Sequence, residues 1–225
     1  MGNAIYLWWQ RLFEEKQDNE KEPKEPKEPK EPKEPKPVRR RPQPKYIKMD
    51  IVPEMPTGAG PCRVLKCLHP LLRSKLEDAL DECHRKGLMV HVFESYRTPL
   101  RQQQLYAKGR TFPGRKVTNA KPYESWHNFG LAFDLVFDGD QRDGIQWSWE
   151  GDYNTEKVEG DRRSDYHRVG EIFEKYGFEW GARWKSFKEM PHFQMIFGLD
   201  RHEAKRLYDT EGLQAVWDKI TSLEV

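Results

Sequence analysis

The chain has few cysteines, no long apolar run and almost no excess of charge of either sign, and each shortage excludes something. Three cysteines among 225 residues, Cys62, Cys67 and Cys83, form an odd and sparse set that does not read as a disulfide scaffold. No stretch approaches the roughly 20 apolar residues that span a bilayer, and the longest near the start is AIYLWW at 4–9. The start also lacks the basic region, longer apolar core and small-residue cleavage site of a secretory signal, because Gln10, Arg11 and Glu14 follow almost at once. With 39 basic against 37 acidic residues the formal net charge is +2, so no general basic field points to nucleic acid. Side chains that are 36% hydrophobic and 34% charged fill one core rather than two.

What is present divides the chain. From Glu22 to Lys36 it reads EPKEPKEPKEPKEPK, with proline at 23, 26, 29, 32 and 35. Proline every third residue matches the three-residue turn of polyproline II, which makes a solvated, semi-rigid spacer of roughly 45 Å. The extended segment covers 16–45, and its Arg39-Arg40-Arg41 run reads as a solvated linker end. Ahead of it, Ile5, Trp8, Trp9, Leu12 and Phe13 fall at helical spacing within residues 1–15. A short amphipathic helix there, with two tryptophans on its apolar face, suits a membrane surface touched through residues 4–13 or a groove on a partner, and a terminus folded back on its own domain is the plainer alternative.

The remaining 46–225 is the folded domain. Leu72, Leu76, Ala79, Leu80 and Cys83 predict a helix over 71–86 stopped by Gly87. Thr98-Pro99 is an N-cap with proline at the first helical position. LMVHVFESY (88–96) reads as a strand, GLAFDLVF (130–137) and PHFQMIF (191–197) as buried strands. Ser164 opens a helix ended by Gly177, Asp200 with Glu203 opens another, and Leu213, Val216, Trp217 and Ile220 line a last one. Helices alternate irregularly with short strands, which predicts an α+β fold.

Asp134 stands inside an apolar strand, where an unpaired carboxylate costs several kcal/mol on the scale of roughly 2–7 for buried polar groups. His127 lies in the turn leading into that strand, and His192 opens the other buried strand. If the two strands are antiparallel neighbours, two imidazoles and one carboxylate converge into a zinc site with an open fourth position, the catalytic rather than the structural pattern. Glu189 precedes His192 in KEMPHFQ, and Pro191 forbids a helix there, so the segment turns and can bring a carboxylate beside the site to move a proton. Arg97, between a strand and a helix N-terminus, can stabilise an oxyanion or hold a substrate carboxylate; a surface ion pair is the alternative, and spacing alone does not choose between them. A structural metal among Cys62, Cys67, Cys83 and His69 or His84 matches no common zinc spacing.

These residues resemble a family. SWHNFGLAFD (125–134) fits S-x-H-x-x-G-x-A-x-D, and WGARWKSFKEMPHFQ (180–194) fits W-G-x-x-W-x-S-F-x-[DE]-x-P-H-F-Q. Both belong to the zinc peptidases that include D-Ala-D-Ala carboxypeptidases and phage L-alanyl-D-glutamate endopeptidases. SYRTPLRQQQLYAKGR and PGRKVTNAKPYESWH are similar to upstream segments of the endopeptidase branch. The resemblance covers about 65–198 and not 1–45. It implies a hedgehog/D-Ala-D-Ala-peptidase fold, one zinc ion on His127, Asp134 and His192, Glu189 as catalytic base and Arg97 as stabiliser. Ser125 and Gln102 are implied as substrate-binding residues. The implied activity is endolysin-type hydrolysis of stem peptides in bacterial peptidoglycan by a monomer, made in the cytoplasm and acting on the wall in the periplasm. A D,D-carboxypeptidase and a non-catalytic zinc-stabilised wall-binding module are the rival readings. The insertion between Asp138 and Asp165 reads as a rim loop.

Overall fold

Alternation along AFDLVFD sets the architecture. The computed structural model describes residues 52–138, 145–146 and 164–223; the expected N-terminal helix, the spacer and most of the insertion after Asp138 lie outside the described residues. Strand β2 (Ala132–Asp138) is flanked by β1 (Val90–Glu94) and β5 (His192–Gln194), both antiparallel to it. A two-residue strand β3 (Ile145–Gln146) also pairs with β2, and β4 (Glu179–Trp180) closes the far edge beside β5. The fold is α+β, a small antiparallel sheet flanked by helices, as expected.

One face of β2 presents Phe133, Leu135 and Phe137 to the main core. Helix α1 (Pro70–Arg85) packs Leu72, Leu76, Ala79 and Cys83 into it, and α3 (Asp165–Lys175) adds Val169, Ile172 and Phe173. Phe193 of β5 stacks on Phe133 with ring centres 5.7 Å apart. Each fully buried phenylalanine contributes about 2 kcal/mol by desolvation alone, so this layer does much to hold the central strands together. A second cluster joins Trp126, Phe129 and Leu131 to α4 (Arg201–Glu211) and α5 (Leu213–Leu223) through Ala204, Val216, Trp217 and Ile220.

The helix ends follow their sequence signals. Thr98 accepts a bond from the Arg101 N–H and opens α2 (Pro99–Ala107), while the Asp200 carboxylate accepts from His202 and Glu203 at the start of α4. The strands are shorter than the apolar runs suggest. Pro191 has no N–H to give the ladder, and Phe197, at φ 53°, turns the chain away soon after Gln194. A register shift between Val92 and Glu94 likewise bends the end of β1. Among the described residues no helix is long and apolar enough to cross a membrane.

Candidate metal centre

Strand register builds the site in one row. Glu94 of β1 stands opposite Asp134 of β2, and Asp134 stands opposite His192 of β5. Cross-strand partners share a face, so the row lies on the side of β2 opposite Phe133 and Leu135. His127 arrives from a short 3-10 turn, Trp126–Phe129, that ends at Gly130. Gly130 has φ 68°, and a Cβ there would sit 2.7 Å from the Cys67 carbonyl oxygen, so only glycine lets this turn press against the preceding loop.

The three side chains meet at a point. His127 Nε2 lies 3.2 Å from His192 Nδ1, and Asp134 Oδ1 lies 3.3 Å from each of those nitrogens. A tetrahedral ion with bonds of about 2.0–2.1 Å, typical of zinc on imidazole and carboxylate, needs about 3.3 Å between ligand atoms. The triangle fits. Each imidazole also has its second nitrogen engaged: His127 Nδ1–H donates to the Ser95 carbonyl at 2.8 Å, and His192 Nε2–H donates to Gln194 Oε1 at 3.1 Å. Those bonds leave the converging nitrogens with free lone pairs. Among the described residues this is the group of histidine, cysteine and acidic side chains placed to hold a metal ion.

The cysteine alternative does not converge. Cys62 and Cys67 share a small buried cluster with Tyr96, whereas Cys83 belongs to the main core. His84 bonds the Val90 carbonyl and His69 the Trp217 carbonyl.

Charge in the site is compensated. Burial disfavours the Asp134 carboxylate, but His127, His192 and Arg97 outweigh it and hold the group well below the usual carboxylate range. Burial, with Arg97 nearby, lowers His127, which keeps the imidazole neutral as a ligand must be. Burial opposes protonation of His192 too, yet the bonds to Asp134 raise it, so a metal competes with a proton there. Burial works against the charge of Arg97, and the carboxylates of Asp134 and Glu94 more than restore it.

Glu189 sits beside the triangle, its Oε2 3.7 Å from His192 Nδ1. Gly181 permits this: the Glu189 N–H donates to the Gly181 carbonyl at 3.3 Å, and a Cβ on Gly181 would lie 2.7 Å from the Glu189 carbonyl oxygen. Burial pushes the Glu189 carboxyl up to about 7, with Asp134 adding to the rise and His192 and Arg97 opposing it. A carboxyl whose burial favours its protonated form is suited to take up a proton and pass it on.

Arg97 and Gln102 hold less exposed places than their sequence reading gives them. Arg97 donates from Nε and Nη2 to Glu94 Oε2, from Nη1 to Gln102 Oε1 and from Nη2 to Asp134 Oδ2. Gln102 is fully buried, its amide nitrogen bonded to the Ala120 carbonyl at 2.7 Å, so it touches the cleft indirectly, through Arg97 and Ala120, which line it. Ser125 lines a cleft of about 370 Å³ together with Arg97, His127, Glu189 and His192. Trp184, Phe187 and Trp126 give that cleft aromatic walls.

Several residues that build the site carried no sequence signal of their own. Glu94 accepts from both Arg97 and Arg101. Asn128 donates to the Arg97 carbonyl at 2.6 Å and accepts from the Tyr123 N–H at 2.9 Å. Ser95 acts through its carbonyl, which no side-chain pattern reveals.

Similarity to known proteins agrees with this geometry. Residues 118–195 match the family profile described as D-alanyl-D-alanine carboxypeptidase. The peptidoglycan L-alanyl-D-glutamate endopeptidase CwlK of Bacillus subtilis (strain 168) is 39% identical over 130 residues, which are 57% of this chain and 74% of that protein. The chain belongs to this zinc peptidase family. As a zinc metallopeptidase it takes one Zn2+ as cofactor, and His127, Asp134 and His192 are the residues fitted to hold it. Among solved structures, this zinc peptidase is also similar to the L-Ala D-Glu endopeptidase ChiX of Serratia marcescens, with 25% identity, a TM-score of 0.40, and coverage of 59% of this chain and 84% of that one. The LdcB LD-carboxypeptidase is similar at 19% identity and a TM-score of 0.44, over 75% of this chain and 77% of that one.

Proposed function

We propose that this zinc peptidase hydrolyses the L-alanyl-D-glutamate bond of peptidoglycan stem peptides, as an endopeptidase of endolysin type. The observation that carries the choice of bond is the 39% identity to an L-alanyl-D-glutamate endopeptidase over 130 residues. When bound, zinc supplies Lewis acidity toward a carbonyl oxygen and toward water. The chain's own groups do the rest. Glu189, beside the ligand triangle, takes a proton from the attacking water and returns it to the leaving amine. Arg97 keeps its charge at the floor of the cleft, where negative charge develops on the former carbonyl oxygen. The Ser125 hydroxyl and the aromatic walls orient the peptide and narrow the access of bulk water.

The family profile's description favours a second reading, removal of a terminal D-alanine. A carboxypeptidase must clamp a free terminal carboxylate. Arg97 spends four donor contacts on Glu94, Gln102 and Asp134, so it acts on the cleft through its charge and has no open fork to clamp a terminal carboxylate, which supports the endopeptidase. Purified peptidoglycan incubated with the protein, with and without a chelator, decides between them. New amino termini on D-glutamate are the expected product; free D-alanine instead assigns the carboxypeptidase.

The same proposal places the protein's action at the cell wall of a bacterial host, reached from the cytoplasm as a monomer through a pore made by other proteins. It gives residues 4–13 the task of touching the membrane surface. Loss of vesicle binding on deleting residues 1–45 is the expected result, and unchanged binding and lysis would refute that task.

A further inference from the structure

Period-two alternation puts His192 and Gln194 on the same face of β5, and the register sets Glu179 of β4 opposite Gln194. The three side chains are linked in series. His192 Nε2–H donates to Gln194 Oε1 at 3.1 Å, and Gln194 Nε2 donates to Glu179 Oε2 at 2.8 Å. The other carboxylate oxygen, Glu179 Oε1, accepts from Trp184 Nε1 at 2.5 Å. Trp184 closes the loop in space, because its ring centre lies 5.0 Å from that of His192 and both line the cleft.

We infer that Glu179 is a positioning residue that sets the metal-binding face of His192 through Gln194, and that it joins this imidazole to the indole wall of the cleft. The inference rests on the zinc peptidase reading of the site. Its logic is one of donors and acceptors. An ionised carboxylate only accepts, so Glu179 forces the amide nitrogen of Gln194 toward itself and the amide oxygen toward His192. An amide oxygen facing Nε2 requires the proton there, which leaves the lone pair on Nδ1, the atom that meets His127 and Asp134. Without Glu179 the Gln194 amide is free to turn over. Its NH2 would then face Nε2 and favour the proton on Nδ1, where it blocks metal binding. Glu179 itself is exposed on its two-residue strand, so it packs little and its substitution leaves the core untouched.

The test is zinc affinity of the full chain, by competition with a chromophoric chelator, for wild type, Glu179→Ala, Glu179→Gln and Gln194→Leu. The downfield imidazole N–H signals of the zinc-loaded proteins and thermal unfolding of the zinc-free ones are followed in parallel. Outer partners of metal-bound histidines are typically worth about 10- to 100-fold in affinity. Glu179→Ala and Gln194→Leu are expected to fall in that range and to shift or broaden the His192 Nε2–H signal. Glu179→Gln, which keeps an acceptor but not the charge, is expected between them and wild type. Zinc affinity within twofold of wild type together with an unmoved His192 signal in Glu179→Ala overturns the inference, even if Gln194→Leu fails to fold. A wild type that binds zinc but leaves peptidoglycan intact would count against the proposed substrate and not against this relay. A wild type that binds no zinc overturns both.

Discussion

Arg97 Nη2 lies 2.9 Å from Asp134 Oδ2, the oxygen opposite the one that Asp134 shares with His127 and His192. One carboxylate thus faces the metal triangle on one side and a buried guanidinium on the other. The guanidinium is in turn held by Glu94 and Gln102. The buried guanidinium and the orientation of the ligand triangle are therefore coupled through a single side chain.

Arg97→Lys keeps the charge but replaces a planar fork by one ammonium, whose three donors leave a single nitrogen and do not reproduce the contacts that Nε, Nη1 and Nη2 make to Glu94, Gln102 and Asp134. Peptide hydrolysis is expected to fall by about 10²-fold or more, as for loss of a preorganised donor. Glu94→Ala strands Arg97 without its main partner and is expected to destabilise the fold by about 3 kcal/mol, read from urea unfolding.

Glu189→Gln removes the proposed proton acceptor and leaves His127, Asp134 and His192 in place. Turnover is expected to drop by about 10²- to 10⁴-fold while zinc, measured by metal analysis of the purified protein, stays bound. Dialysis against a chelator should abolish wild-type turnover, and added zinc should restore it. A Glu189→Gln protein with full activity would point to a binding module or to a different base.

Gly181→Ala places a methyl 2.7 Å from the Glu189 carbonyl oxygen and 3.2 Å from His192 Cβ. The 189–192 turn must move, so turnover should fall at least tenfold, on the scale of about 10²-fold for a 1 Å misplacement. The comparison to make is turnover against melting temperature, since a pure stability defect would change the second without the first.

His69 is 1% exposed, bonds the Trp217 carbonyl through Nε2, and has no hydrogen-bond partner at Nδ1 among the described residues. Burial lowers its pKa from 6.5 to about 4, with Arg73 adding to the drop and the Trp217 bond opposing it. The folded state holds this imidazole neutral, so its contribution to stability is complete above pH 6.5 and lost as pH falls toward 4. The loss amounts to about 3 kcal/mol at 1.36 kcal/mol per pKa unit. His69→Gln, which does not titrate, should unfold in urea with a shallower dependence on pH between 6.5 and 4 than wild type.

Much of this was legible in the sequence because it rests on local rules. Thr98-Pro99, Asp200 and Gly177 mark helix ends by capping and backbone conformation, which a few neighbouring residues determine. Asp134 in an apolar strand announced a buried charge in need of partners, and the histidines nearby supplied them. The geometry that completes the site depends instead on pairing register. Nothing in FEW or HFQ says that Glu179 will face Gln194, or that Glu94 will share a row with His192. Gln102 looked like a residue that meets substrate, and only the packing of α2 shows it sealed beneath Arg97.

Ser95 gives both its N–H and its hydroxyl to the Cys62 carbonyl, and the hydroxyl also reaches the Val64 carbonyl, while its own carbonyl fixes the His127 ring. The family profile begins at 118, so anyone trimming the protein to that span would cut away the brace of its first ligand. The smallest fragment worth expressing starts ahead of Gly58, whose carbonyl takes the Thr98 hydroxyl.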